Sequence, residues 1–331
     1  MTAARQPLLE VRHLSLDFGT SRGRVHALRD VSLTVPPGRI VGIVGESGCG
    51  KSTLAYGIIR LLAENAQIVG GEIRFDGRDL LALGDREMRA LRGRRISMIF
   101  QDPMTALNPV RSIEMQMIDV QYRDPVPRRE KRHRAARMLA RVGIPDPDSR
   151  LRAYPHQFSG GMRQRICIAM ALLSQPALLL ADEPTTALDA TLEIQIINLL
   201  ERLQQDVGCA ILFVSHHLGT VAELCEDVVV MYAGEVVESG TVRDIFKSPG
   251  HPYTQALLEC DPGRIRQKTR RLPTIPGEVP NLAQIPAGCI FRRRCPQAFE
   301  RCARENPPPY PVAGTHVARC HLLDRPGSTG A

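Results

Sequence analysis

The spacing of hydrophobic and polar positions changes several times along the chain. Residues 8–36 alternate apolar and polar in two stretches around the Gly19–Gly23 loop, the pattern of an antiparallel hairpin with one buried face. Short apolar runs follow at Ile40–Val44, Ala177–Asp182, Cys209–Val214 and Val228–Tyr232, with weaker strand patterns around Gly71–Phe75 and Arg95–Phe100. Runs of this length predict strands buried on both faces. Ser52–Arg60 predicts the start of a helix, and about 102–173 is mainly helical in pattern. Thr191–Val207 carries Leu192, Ile196, Leu199, Leu200 and Leu203 on one helical face, with Gly208 as its stop. Strands alternating with helices imply an α/β fold, a parallel sheet wrapped by helices. From Ser248 onward repeated Pro and Gly mark a boundary near residue 246. The expected organisation is a domain over 1–245, with a helical subdomain over about 102–173, and a loop-rich extension over 246–331. Such an extension has few apolar periods and needs another staple.

No apolar run approaches the ~18 residues needed to span a bilayer, and Met1–Glu10 lacks the apolar core of a secretory leader. The expectation is a cytoplasmic protein, unless a partner holds it at a membrane. The net charge of +8 admits nucleic acid or an anionic membrane as partner. The densest basic run, Arg128–Arg141, also spaces Ala135, Met138, Leu139 and Val142 as one apolar helical face, so an ordinary surface helix accounts for it equally well. Five of the nine cysteines are scattered: Cys49, Cys167, Cys209, Cys225 and Cys260. The other four crowd the tail. A secreted disulfide framework does not fit that distribution.

The first candidate chemistry lies just after the strand at Ile40–Val44. Gly45-Glu46-Ser47-Gly48-Cys49-Gly50-Lys51-Ser52 fits the pattern G-x-x-x-x-G-K-[ST], with Thr53 next on the following helix. Glycines let backbone N–H groups turn toward phosphate oxygens, Lys51 reaches the β- and γ-phosphates, and Ser52 offers an oxygen to Mg²⁺. A strand, a loop and a helix start in that order suit anion binding at a helix N-terminus. A second strand, Leu178–Ala181, ends in Asp182 and Glu183. Asp182 suits Mg²⁺, and Glu183 can orient and deprotonate the attacking water in phosphoryl transfer. Phe158-Ser159-Gly160-Gly161-Met162 opens another helix and offers a second anion site at its positive end.

In this order the segments resemble the nucleotide-binding subunit of an ABC transporter over residues 8 to about 245. Gly45–Ser52 resembles Walker A, Leu178–Glu183 resembles Walker B with its catalytic glutamate, and Ser159–Met162 resembles the family signature. The resemblance implies that Gln101 senses Mg²⁺ and the transporter interface. It implies that Ala187-Leu188-Asp189 is the D-loop and that His216 contacts the γ-phosphate. It also implies a fold of the P-loop NTPase type, with a RecA-like sheet core, an antiparallel β subdomain and a helical subdomain. Two such domains would pack head to tail, each signature helix capping the ATP held by the other's phosphate loop. One set of motifs per chain then requires a second ATPase chain, a copy or a related subunit. Met162 stands where many relatives carry Gln, and His217 where Asp is frequent; neither removes a phosphate or metal ligand. Phe18 is the candidate to stack on adenine, and an ordinary hairpin core residue is the competing reading.

In the tail, Cys289, Cys295, Cys302 and Cys320 could hold zinc or an iron–sulfur cluster, or be four ordinary thiols in a loop-rich segment, and their spacing does not choose among these. Arg292, Arg293 and Arg294 lie between the first two and would favour thiolate over thiol. Gly250-His251-Pro252-Tyr253-Thr254, Ile275–Pro280, Gly288-Cys289-Ile290-Phe291 and Arg294-Cys295-Pro296 resemble the C-terminal extension of dipeptide and oligopeptide importer ATPases. That resemblance implies a [4Fe–4S] cluster on the four cysteines. It also implies ATP and Mg²⁺ as cofactors, two transmembrane permease subunits and an extracytoplasmic peptide-binding protein as partners, and a peripheral place on the cytoplasmic membrane face. Nucleic acid is not an expected partner. The other readings are a soluble ABC-type ATPase acting on nucleic acid or ribosomes, and an ATPase of iron–sulfur assembly.

Overall fold

A computed structural model describes residues 6–21, 23–186, 188–261, 263 and 273–324. In chain order the strands are β1 (Leu9–Thr20), β2 (Gly23–Val35), β3 (Ile40–Val44), β4 (Ala66–Phe75), β5 (Arg78–Asp79), β6 (Ile96–Ile99), β7 (Leu178–Asp182), β8 (Ala210–Val214), β9 (Asp227–Tyr232), β10 (Glu235–Thr241), β11 (Tyr310–Ala313) and β12 (His316–Ala318). The helices are α1 (Lys51–Ile58), α2 (Asp85–Leu91), α3 (Pro103–Ala106), α4 (Ile113–Val120), α5 (Arg128–Arg141), α6 (Pro147–Arg150), α7 (Gly160–Leu172), α8 (Ala190–Val207), α9 (Leu218–Leu224), α10 (Val242–Lys247), α11 (Pro252–Glu259) and α12 (Glu300–Arg304). They fall into two compact units. One joins the chain up to Pro36, Ile40–Ala82 and everything from Phe213; the other joins Pro37–Arg39 to Leu83–Leu212.

In the first unit β1 pairs antiparallel with β2 and β4, and β4 with β5. Alternation alone would expose part of the apolar set, because Leu9 and Val11 are out of phase with Leu14 and Leu16. A register shift between Val11 and Leu14, with His13 at φ 48°, moves the phase so that all four are buried. The unit's other ladder is mixed. β3 runs parallel to β9, with Val44 opposite Val230; β10 is antiparallel to β9, and β12 to β10. All five β3 residues are buried, as expected for a strand covered on both faces. The tail therefore contributes strands as well as loops: β11 and β12 form a hairpin whose inner strand pairs with β10 through Ser239 and Val317.

In the second unit β6 and β7 are parallel, with Ile96 opposite Leu178 and Ile99 opposite Ala181. The helices account for most of 103–172. α5 buries Ala135, Met138 and Leu139, followed by buried Val142, on the face the spacing predicts. Part of its basic face is paired within the unit: Arg132 lies 3.3 Å from Glu114, Arg134 3.3 Å from Asp124, and Arg141 2.5 Å from Asp206. This is the ordinary surface-helix reading of that run. α8 buries Ile196, Leu199, Leu200 and Leu203 and ends at Gly208 in the left-handed conformation (φ 71°).

Candidate active site

In the first unit the phosphate loop leaves buried β3 and enters α1 through Gly50. The backbone demands glycine at its two ends. Gly45 has φ 153°, and a Cβ there would stand 2.1 Å from the Met231 carbonyl oxygen; Gly50 has φ 101° and would meet the Ala27 carbonyl oxygen at 2.9 Å. Between them Ser47 and Gly48 are exposed, and Ser52 and Thr53 sit half-buried in the first turn of α1. Lys51 is buried at 4% exposure. Its ammonium donates to the carbonyl oxygens of Gly45 (2.8 Å) and Glu46 (3.1 Å), so the cation is held over the loop by the loop's own backbone. Cys49 lies beneath, its thiol pushed up by burial and drawn partly back by Lys51. His216 follows β8 on an exposed turn, its ring 4.1 Å from that of His217. Phe18 is half-buried on β1, opposite Val25 of β2 and Ala66 of β4.

In the second unit Asp182 is the buried end of β7, at 1% exposure. Glu183, the next residue, takes left-handed backbone (φ 45°). That costs a residue with a side chain roughly 1–2 kcal/mol, and it persists only where neighbours hold it. Here Gln101 Nε2 donates to Glu183 Oε2 at 3.0 Å and Thr186 Oγ1 donates to the same oxygen at 2.9 Å. The structure thus joins Gln101 and Glu183, 82 residues apart in sequence. Ser159 caps α7, accepting from the Met162 N–H at 3.3 Å. Gly160 is exposed, and a Cβ there would meet nothing within 4 Å; Gly161 is buried, and its Cβ would lie 3.2 Å from Leu192. Asp189 caps α8 through the Leu192 N–H at 2.9 Å. Ala187 lies outside the described residues.

The tail reaches the phosphate loop. The Glu46 N–H donates to the Tyr253 hydroxyl at 2.9 Å, and the Glu46 carboxylate receives both arms of Arg294, at 2.6 and 3.0 Å. Sequence reasoning placed Glu46 in the loop by pattern but missed these partners; the Arg triplet was the signal available. Tyr232, Tyr253 and Phe291 pack as a buried aromatic cluster with ring centres 4.6 to 5.4 Å apart, which seats α11 and the Phe291 segment of the tail on β9.

One expectation for the tail is corrected. The arginines do not favour thiolate: Arg294 is spent on Glu46, and Arg292 donates to the Ala303 carbonyl. Burial instead pushes the Cys289 thiol up to about 12 and the Cys320 thiol to about 11, and raises Cys295. The four cysteines are neighbours, since Cys289 is raised further by Cys302, Cys320 and Cys295. Yet among the described residues no three Cys, His, Asp or Glu side chains converge as a set able to hold a metal ion.

Comparison with known proteins places the chain. The ABC transporter profile matches residues 28–186, and that of the oligopeptide/dipeptide transporter C-terminal region matches 237–302. The chain is 49% identical over 315 residues to a probable peptide ABC transporter ATP-binding protein, y4tR, of Sinorhizobium fredii, covering 95% of this chain and 94% of that one. It is 47% identical to the oligopeptide transport ATP-binding protein OppD of Salmonella typhimurium (93% and 92% covered). It is 44% identical to the dipeptide transport ATP-binding protein DppD of Escherichia coli (97% and 98% covered). Among solved structures it resembles the dimeric post-hydrolysis state of the ATP-binding cassette MJ0796 bound to ADP and Pi. The TM-score is 0.63 at 28% identity, over 71% of this chain and 99% of that one.

Proposed function

This chain belongs to the ABC transporter family and is an ATPase of it, and we propose that it energises the import of dipeptides or oligopeptides. The observation that carries the peptide assignment is the C-terminal region: its match over 237–302 is to the oligopeptide/dipeptide transporter type, and its Tyr253 and Arg294 both reach the phosphate loop. The reading places the chain on the cytoplasmic membrane face. Its partners are a second ATPase chain, two transmembrane permease subunits and an extracytoplasmic peptide-binding protein. No described helix is long and apolar enough to cross a membrane.

The roles follow from the chemistry of each group. Loop N–H groups from Gly45 to Ser52, apart from that of Glu46, which is given to Tyr253, and the Lys51 ammonium neutralise the β- and γ-phosphates of ATP. Lys51 exchanges two carbonyl partners for phosphate oxygens, which favours the bound anion without a large movement. Ser52 and Asp182 would hold Mg²⁺, which would supply positive charge to the phosphates, and Gln101 would sense it. Glu183 orients and deprotonates the attacking water, and His216 contacts the γ-phosphate. Release of the carboxylate from Gln101 and Thr186 frees it to act. Ser159, Gly160, Gly161 and Asp189 face the ATP of the second chain, Thr53 supports the phosphates, and Phe18 stacks on adenine. Uptake of a labelled dipeptide into energised membrane vesicles, measured with and without the chain, tests the import reading. Uptake that does not depend on the chain overturns it.

The [4Fe–4S] cluster on Cys289, Cys295, Cys302 and Cys320 is a separate proposal. What supports it is the shared neighbourhood of the four thiols; what it requires is that they converge further than they do here. When bound it would cross-link a small loop-rich segment. Iron and sulfide analysis after anaerobic purification tests it, and Cys302→Ser should bleach its absorbance. A metal-free protein of native stability overturns it.

A further inference from the structure

The tail motifs meet at one residue of the phosphate loop. Arg294, whose side chain is only 4% exposed, forks onto the Glu46 carboxylate. Its remaining donors are used by the carbonyl oxygens of Ile275 and Pro276, each at 3.0 Å. The Tyr232 hydroxyl lies 3.3 Å away. The Tyr253 hydroxyl accepts from the Glu46 N–H. The Glu46 carbonyl, on the same residue, is one of the two oxygens that hold Lys51. Three tail segments distant in sequence thus fix the side chain, N–H and neighbourhood of a residue whose carbonyl holds the ATP-binding lysine.

We propose that Arg294 is a positioning residue for ATP hydrolysis: it clamps the phosphate loop through Glu46, keeping the cradle formed before nucleotide arrives. The proposal rests on the ATPase reading. Two physical effects follow from the contacts. The fork holds Glu46 in one conformation, so less chain freedom is lost when ATP binds. It also neutralises a carboxylate that lies on the loop where a polyanion must dock; left unpaired, that charge would oppose the phosphates. The clamp acts on nucleotide capture and makes no contact with the transferred phosphoryl group. Its loss therefore raises KM and leaves kcat nearly unchanged.

The test uses the full-length chain in its assembled transporter, with MgATP as the probe. Arg294→Met is expected to raise the KM for MgATP by about tenfold, with kcat changed less than threefold. Adding Glu46→Gln to Arg294→Met removes the unpaired charge and should recover at least half of the loss on a logarithmic scale. A merely structural role would make the double variant as poor as the single, or poorer. An Arg294→Met KM within twofold of the unsubstituted protein, or a double variant with no recovery, overturns the proposal. Should Arg294→Met fail to assemble, Arg294→Lys takes its place, keeping the charge without the fork. A KM raised by about threefold upholds the clamp, and an unchanged KM overturns it. Absence of ATP hydrolysis by the unsubstituted transporter would overturn the ATPase reading itself.

Discussion

Single positions on the phosphate loop and the signature helix behave in opposite ways, and the difference is steric. At Gly45 the backbone is left-handed, and a Cβ would collide with the Met231 carbonyl, which belongs to a strand and cannot give way. Gly45→Ala should destabilise the chain by roughly 3 kcal/mol and abolish ATP binding, read as a lowered melting temperature and lost nucleotide retention. At Gly160 a side chain would enter open space. Gly160→Leu should therefore leave the melting temperature within about 2 °C, a surface-sized effect, while blocking turnover wherever a second chain's nucleotide must approach. Turnover that survives this change would remove Gly160 from the interface. Glu183→Gln preserves the shape of a residue held by Gln101 and Thr186. ATP should still bind, and phosphate release should fall by roughly 10²–10⁴-fold, the worth of a general base.

Among the elements, the start of α11 carries a buried titrating group. His251 is 2% exposed, and its Nδ1 accepts the Tyr253 N–H at 3.0 Å, capping the helix. Burial lowers its pKa from 6.5 to about 4, against a smaller upward pull from Glu238, which accepts the His251 N–H and lies 2.6 Å from His316. The folded state therefore binds its proton less readily than the unfolded chain. Stability is highest above pH 6.5 and falls as the pH drops toward 4. The loss is about 3 kcal/mol, because each tenfold difference in proton affinity between the two states is worth about 1.4 kcal/mol. Urea midpoints measured between pH 7 and 4 should show that slope. His251→Asn keeps a capping oxygen and removes the titration, so its acid arm should be flatter. An equal slope in both proteins would place the acid sensitivity elsewhere.

For the molecule as a whole, the C-terminal region is part of the first unit's structure. β12 pairs with β10, His316 meets the buried Glu238, Phe291 completes an aromatic cluster, and Arg294 reaches the phosphate loop. A chain ending at residue 272 should lose soluble yield and ATP binding together. It would bare the β10 edge and leave Glu238 and Glu46 without their cationic or imidazole partners. A soluble, nucleotide-binding truncation would show that the tail is dispensable. Much of the architecture was legible from the residues, because its signals are local. Unbroken apolar runs mark β3, β7, β8 and β9; the stripe ending at Gly208 marks α8; and the glycine, lysine and serine spacing marks the phosphate loop. These depend on backbone conformations that a few neighbouring residues impose. The β11–β12 hairpin was not legible, since Tyr310–Ala313 and His316–Ala318 are short and flanked by prolines and a glycine, and only pairing with β10 makes them strands. The pKa directions of the tail cysteines were misread for a similar reason: an arginine near in sequence stabilises a thiolate only if it points there, and Arg294 points at Glu46. The sequence alone determined the catalytic family, because phosphate binding needs residue types at a fixed local spacing. Tertiary structure alone decided how the tail is used, because a salt bridge between residues 46 and 294 arises from packing that no local pattern encodes.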